Sequence, residues 1–84
     1  MSDDLRSDIL TAVREAAVEV LDCDAQDVTL DAKLSETLDA DSIDVIEIAS
    51  TLERQFEVAI EDHEVYDLET VGGLVDLVAT KKGE

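Results

Sequence analysis

The sequence lacks proline and tryptophan, and it contains only one tyrosine and one phenylalanine among 84 residues. With so few aromatic rings, any core must be built from aliphatic side chains. A chain of this length buries little more than about 60% of its unfolded surface, so it supports one small core. No linker, repeat or low-complexity tract divides the chain. We therefore expect a single domain over residues 1–84.

Basic residues are also scarce, since six Lys and Arg stand against 23 Asp and Glu and give a formal net charge of −17. Such a field repels phosphate backbones and anionic lipid surfaces, which argues against nucleic acid and membrane partners. The same field attracts basic protein surfaces and makes binding sensitive to salt. We expect a monomer that binds proteins with basic docking surfaces.

Cys23 is the only cysteine, so no intramolecular disulfide can form and nothing indicates an oxidising compartment. We interpret it as a small apolar residue near the end of a helix. The first residues, MSDDLRSD, contain no basic segment followed by an apolar run, and no segment is long enough to cross a bilayer. These absences favour a soluble, cytoplasmic protein without membrane insertion.

Apolar residues recur at three- to four-residue intervals, which predicts an all-α fold, a small helical bundle of three main helices and one short third turn. The acids Asp3 and Asp4 suit the positive end of the first helix. The predicted elements are a first helix from Ser2 or Asp3 to Leu21, a second from about Ser42 to Phe56, a short turn from Asp62 to Leu68, and a last helix capped by Thr70.

The segment from Asp22 to Leu38 has no sustained periodicity and predicts a long loop between helices one and two. Loops of this length without regular structure are more often functional than accidental. Four apolar residues are spaced to anchor this loop on the core: Val28, Leu30, Leu34 and Leu38. The far end of the loop is therefore the first place to look for a site.

Ser42 lies at that far end, within the stretch LDADSIDVIEI. Serine is a preferred N-cap residue, and capping is the simplest role for it at a helix start. Asp41 can supply the capping oxygen instead, with Asp44 three residues later in a capping-box arrangement. The hydroxyl of Ser42 would then lie in the first turn and face solvent. The pattern therefore predicts that the Ser42 hydroxyl is accessible and does not cap the helix.

Nothing near Ser42 in the sequence makes it a catalytic nucleophile. A serine needs an adjacent base, and His63, the only histidine, has no glycine-rich oxyanion turn or second histidine to work with. An EF-hand pattern that starts at Asp39 fails, because Asp44 stands at its glycine position. We therefore expect neither an enzyme, such as a small hydrolase, nor a specific metal site.

A helical wheel of the second helix separates two apolar faces. Ile43 and Ile46 lie outside the core face as an exposed pair. The largely acidic rim around them contains Glu47, Ser50, Glu53 and Arg54, with Asp44 further round the helix. Single exposed aliphatic residues are common, but a pair beside an accessible hydroxyl favours a docking surface. The core face contains Val45, Ile48, Ala49, Leu52 and Phe56.

The stretch LDADSID, followed by VIEI and TLERQFE, resembles the pattern around the D-S-L motif of the acyl carrier protein family, with Ile43 in place of leucine. The order and spacing of DVT upstream and of the acidic turn before Thr70 are also similar, so the resemblance covers nearly the whole chain. Peptidyl carrier domains share the fold but carry G-G-x-S, which LDADSI lacks. A free-standing carrier of the type II kind, used in fatty acid or polyketide synthesis, is the better match.

The resemblance implies that a phosphopantetheinyl transferase attaches 4′-phosphopantetheine from coenzyme A to Ser42, next to the motif residue Asp41. Acyl groups would then be held as thioesters and presented to acyltransferases, ketosynthases and related enzymes. The cargo stays open among fatty acid, polyketide and specialised lipid intermediates. The residues implied to dock these enzymes are Ile43, Asp44, Ile46, Glu47 and Glu53.

Two positions depart from the family pattern, since Asp39 replaces a usual glycine and Glu61 replaces a frequent proline. Aspartate tolerates a left-handed backbone better than most residues, so Asp39 affects loop detail rather than function. An aliphatic core with small residues such as Ala49 and Ala59 could shelter an acyl chain, or could simply be small. The alternative function is an acidic helical adaptor that regulates a basic protein partner and is never modified.

Overall fold

The computed structural model describes the backbone of residues 2–83 and the side chains of residues 5–83, so the predicted roles of Asp3 and Asp4 lie outside the described side chains. The described residues form no strand, and one isolated bridge joins Lys33 and Thr70. The predicted all-α bundle is confirmed, although its third helix ends two residues earlier than expected. The helices are α1 (Ser2–Leu21), α2 (Ser42–Phe56), α3 (Asp62–Tyr66) and α4 (Val71–Lys81), with a 3-10 turn at Ala25–Asp27.

The hydrophobic core lies between α1, α2 and α4. Helix α1 packs against both of the other long helices, whereas α3 contacts mainly α2. Ile9 of α1, Ile48 and Leu52 of α2 and Leu74 of α4 are fully buried, and burying one such side chain stabilises a fold by about 1.5–3 kcal/mol. The core is aliphatic, as the shortage of aromatic residues predicts. No helix within the described residues has the length and apolar character needed to span a membrane.

The long loop is fixed by backbone hydrogen bonds to the segment that begins α4. Val28, Leu34 and Leu38 are buried as expected, but Leu30 is 53% exposed. The expectation for Leu30 was wrong because its carbonyl oxygen, rather than its side chain, makes the contact. Three backbone hydrogen bonds join the loop to residues 69–72. They run from Leu34 N to Glu69 O (2.9 Å), Val71 N to Ala32 O (3.0 Å) and Gly72 N to Leu30 O (2.8 Å).

Alanine substitutions at the two adjacent glycines in the first turn of α4 should have opposite effects on stability. A Cβ added at Gly72 would lie 2.9 Å from Leu30 O, whereas one at Gly73 would lie 3.5 Å from a Leu68 methyl group, an ordinary contact. Alanine at a compatible glycine site reduces the entropy of the unfolded chain. We expect Gly73→Ala to raise the free energy of unfolding by about 0.4–1 kcal/mol and Gly72→Ala to lower it by more than that. Urea unfolding measures the free energy of unfolding of each variant. Equal stabilisation by the two substitutions would contradict the close approach of Gly72 to the Leu30 carbonyl oxygen.

Candidate functional site

The start of α2 is closed by a capping box between two aspartates. Asp41 has an extended backbone, and its Oδ1 accepts a hydrogen bond from Asp44 N at 2.9 Å. In return, Asp44 Oδ2 accepts one from Asp41 N at 3.3 Å. Both halves of the predicted arrangement are therefore present, and the helix start does not need another capping oxygen.

Ser42 occupies the first helical position after this cap and is exposed. Within the described part of the chain, no group hydrogen-bonds to its hydroxyl. A serine used as the cap would direct its oxygen to a backbone N–H two or three residues later. Because Asp41 fills that role, the hydroxyl of Ser42 is left available to a group from outside the chain.

The backbone that leads into Ser42 is held in one conformation. Asp39 has φ 54°, in the left-handed region that aspartate enters more readily than most residues. The next residue, Ala40, is buried, and its N–H donates to Leu34 O at 2.8 Å. Asp39 therefore accommodates a left-handed turn, and the hydrogen bond from Ala40 fixes the backbone directly before Asp41 and Ser42.

A small cleft of about 150 Å³ opens beside Ser42, between α2, α3 and the long loop. Its wall is mainly apolar and includes Leu34, Ala40, Val45, Val65 and Leu68, with Ser35, Asp41, Ser42 and Tyr66 completing the lining. This volume is below the roughly 300–1,000 Å³ of most small-molecule sites. The cleft is therefore too small to enclose a typical ligand beside the exposed hydroxyl of Ser42.

One of the two alanines expected to line the core does not do so. Ala49 is buried, but Ala59 is exposed. Ala59 lies in the loop after α2 between Val58 and Ile60, which both turn toward the core. Since neighbouring side chains in an extended loop point to opposite sides, Ala59 faces solvent, and the expectation was wrong.

Helix α3 forms one wall of the cleft and is held by Glu64. Glu64 Oε1 accepts a hydrogen bond from Glu61 N at 2.9 Å and lies 3.0 Å from Lys81 Nζ of α4. The Glu61 N–H first, and Lys81 second, lower the pKa of Glu64 below its ordinary value. The contacts therefore contribute stability at neutral pH and lose it as the pH falls through this lowered pKa. A proline at Glu61 could not donate this bond.

Of the predicted docking residues, those near Ser42 differ in exposure. Ile43 is 65% exposed, Glu47 is exposed, and Asp44 is half-buried within its capping box. Ile46 is half-buried, and it lines a groove with Ala16 and Val20 of α1. The expected exposure of Ile46 was wrong, because α1 packs along that flank of α2.

Glu53 lies eleven residues beyond Ser42 on α2, which corresponds to about 16 Å along the helix axis. It is half-buried, and its Oε2 accepts a hydrogen bond from Ile60 N at 3.1 Å. The carboxylate therefore stabilises the loop that follows α2. A role for Glu53 in docking stays a prediction. The hydrogen bond from Ile60 N shows that Glu53 also has a structural role.

Comparison with known proteins agrees with this arrangement. The family model described as a phosphopantetheine attachment site matches residues 11–78. The acyl carrier protein of Exiguobacterium sibiricum is 38% identical over 90% of this chain and 96% of its own length. That of Petrotoga mobilis is 36% identical over 90% of this chain and 89% of its own, and that of Caulobacter vibrioides is 37% identical over 89% and 96%.

The chain belongs to the acyl carrier protein family. Members of this family are carriers rather than catalysts, and their cofactor is 4′-phosphopantetheine. The family assignment supports the carrier function that the sequence resemblance implies, and not the alternative of an unmodified adaptor. The synthesis enzymes that use acyl carriers are its general class of partner.

The other reactive side chains of this acyl carrier protein do not form a second site. Cys23 is half-buried, and burial raises the pKa of its thiol, with the carboxylates of Asp27 and Asp24 adding to the effect. Both effects disfavour the thiolate, which is the nucleophilic form of cysteine. His63 is exposed, as expected. Among the described residues, no group of three or more side chains is arranged to hold a metal ion.

Tyr66 is the cleft residue that sequence reasoning missed. It is 62% exposed at the end of α3 and lines the same cleft as Ser42. The available signal was its position directly after Val65, which turns into the core. Neighbouring residues on a helix are about 100° apart, and on this short helix Tyr66 lies away from the side on which Val65 is buried.

Proposed function

We propose that Ser42 is the attachment residue of this acyl carrier protein, and that a phosphopantetheinyl transferase modifies it with coenzyme A as donor. In this reaction the Ser42 oxygen bonds to the phosphorus next to the pantetheine arm. The pyrophosphate bond of coenzyme A breaks, adenosine bisphosphate leaves, and the serine proton passes to a base of the transferase. The supporting observation is the exposed hydroxyl of Ser42, left without a hydrogen bond by the described residues because Asp41 caps α2.

The residues of the chain present the arm, while partner enzymes supply the chemistry. When attached, the arm provides a thiol that carries acyl groups as thioesters. The capping box and the fixed loop hold Ser42 at one point of the surface, which gives a tethered group a high effective concentration near a docked enzyme. We propose that acyltransferases and ketosynthases with basic surfaces are such enzymes, and that the protein acts in the cytoplasm as a monomeric, single carrier domain.

We propose further that partners dock on α2 next to Ser42. Ile43 and Glu47 are the best-supported contacts, because one exposes a large aliphatic side chain and the other an acidic side chain. Asp44, Ile46 and Glu53 stay in the proposed surface, with part of each side chain engaged inside the domain. An apolar contact ringed by acids suits a basic enzyme surface that carries an apolar recess.

The attachment residue can be tested by intact-mass analysis. The apo protein is incubated with coenzyme A, magnesium and a broad-specificity phosphopantetheinyl transferase. We expect a gain of one phosphopantetheine group in the native sequence and no gain in Ser42→Ala. Ser35→Ala is the matched control, because Ser35 is exposed and lines the same cleft, and it should gain the full mass. An unmodified native protein, or a modified Ser42→Ala, would reject the proposal.

The docking surface can be tested by charge reversal. We expect Glu47→Lys to lower kcat/KM for modification by the transferase about tenfold at low salt, which corresponds to about 1.4 kcal/mol, with a smaller loss at high salt. Glu15→Lys makes the same change of charge on an exposed position of α1 and should have little effect. Equal losses in the two variants would indicate that only the overall field matters, against a docking surface at Glu47.

A further inference from the structure

Tyr66 is a large exposed side chain on the short helix α3. It is the only tyrosine in the chain, and 62% of it is exposed. A single exposed aromatic residue needs no special explanation by itself. What distinguishes Tyr66 is that it lines the same cleft as Ser42.

The size of the cleft indicates what Tyr66 can contribute. At about 150 Å³, the cleft has room for only a small part of any group attached to Ser42. The remainder must lie outside the cleft. Because Tyr66 lines the cleft and is mostly exposed, its ring can add apolar surface to the aliphatic wall while its hydroxyl stays in water.

Helix α3 holds Tyr66 at the edge of the cleft. Val65, the preceding residue, is buried in the core. One residue further back, Glu64 is tied to Glu61 N and to Lys81 of α4. The ring therefore projects from an anchored segment, and less ordering is needed before it can pack against a ligand.

We propose that Tyr66 is a positioning residue for the prosthetic arm: its ring packs against the group attached to Ser42 and retains it along the cleft between α2 and α3. This inference rests on the proposed attachment at Ser42. A tethered group is present at a local concentration of about millimolar or more, so a contact that would not capture free ligand becomes populated. The amphipathic ring suits an arm that alternates apolar and amide groups.

The chain provides its own probe for this contact. Because it has no tryptophan and one tyrosine, its tyrosine emission and the tyrosine ring resonances in NMR both report on Tyr66 alone. We expect attachment of the arm to shift the ring resonances, change the emission and produce nuclear Overhauser effects between the ring and the methyl groups of the arm. Ser42→Ala, treated in the same way, should show none of these changes.

Two substitutions separate this role from a general structural one. In Tyr66→Ser we expect the methyl groups of the arm to become more mobile by NMR relaxation, whereas Tyr66→Phe should keep the restricted motion. Leu30→Ser is the matched control, since Leu30 is 53% exposed and lies outside the cleft lining. It should leave the motion of the arm unchanged.

The outcomes distinguish this inference from the proposed function. A native protein that gains no mass overturns both. A protein that gains mass while the Tyr66 signals stay the same overturns the contact with the arm alone. If Tyr66→Ser slows the transferase but leaves the motion of the arm unchanged, the residue docks a partner enzyme, and the inference is also rejected.

Discussion

At the start of α2, Asp41 rather than Ser42 accepts the hydrogen bond from Asp44 N, and the chemistry of the site depends on this choice. Either residue type could cap the helix, and the cap is worth about 1 kcal/mol. With aspartate as the cap, the adjacent hydroxyl has no structural duty and can be modified without loss of a stabilising bond. The loop contributes by fixing where Asp41 lies, through Ala40 N to Leu34 O and through Leu34 N to Glu69 O.

The remainder of the molecule is consistent with a carrier whose reactions are catalysed by partner enzymes. A carrier needs an attachment point, a rigid support and a surface that several enzymes can bind. The net charge of −17 serves the last of these, because it attracts basic surfaces over a distance set by the ionic strength. In the proposed docking surface, specific contacts are made by a few exposed groups such as Ile43 and Glu47.

The sequence predicted features that depend on local chemistry. The bounds of α2, the Asp41 cap and the Thr70 cap were confirmed, because a capping side chain and its N–H partner lie within three residues of each other. Ile46 and Leu30 were misjudged because their exposure depends on what packs against them: α1 covers Ile46, whereas α4 approaches the carbonyl of Leu30.

The cleft could not have been predicted from any one segment. It forms only where α3, the long loop and the start of α2 meet, and Tyr66 becomes part of it through that meeting. The conformation of Asp39 was left open by the sequence, which indicated only that aspartate would tolerate a left-handed backbone, and the structure shows that conformation.

The most direct test of the account compares two substitutions of Asp41. Asparagine caps a helix about as well as aspartate, whereas alanine does not cap, and Ser42 is then the nearest residue whose oxygen can take over. The measurement is the rate at which the transferase modifies Ser42. The account predicts a rate near that of the native protein for Asp41→Asn and a rate several-fold slower for Asp41→Ala. A rate for Asp41→Ala equal to that of the native protein, or a rate for Asp41→Asn as slow as that for Asp41→Ala, would contradict it.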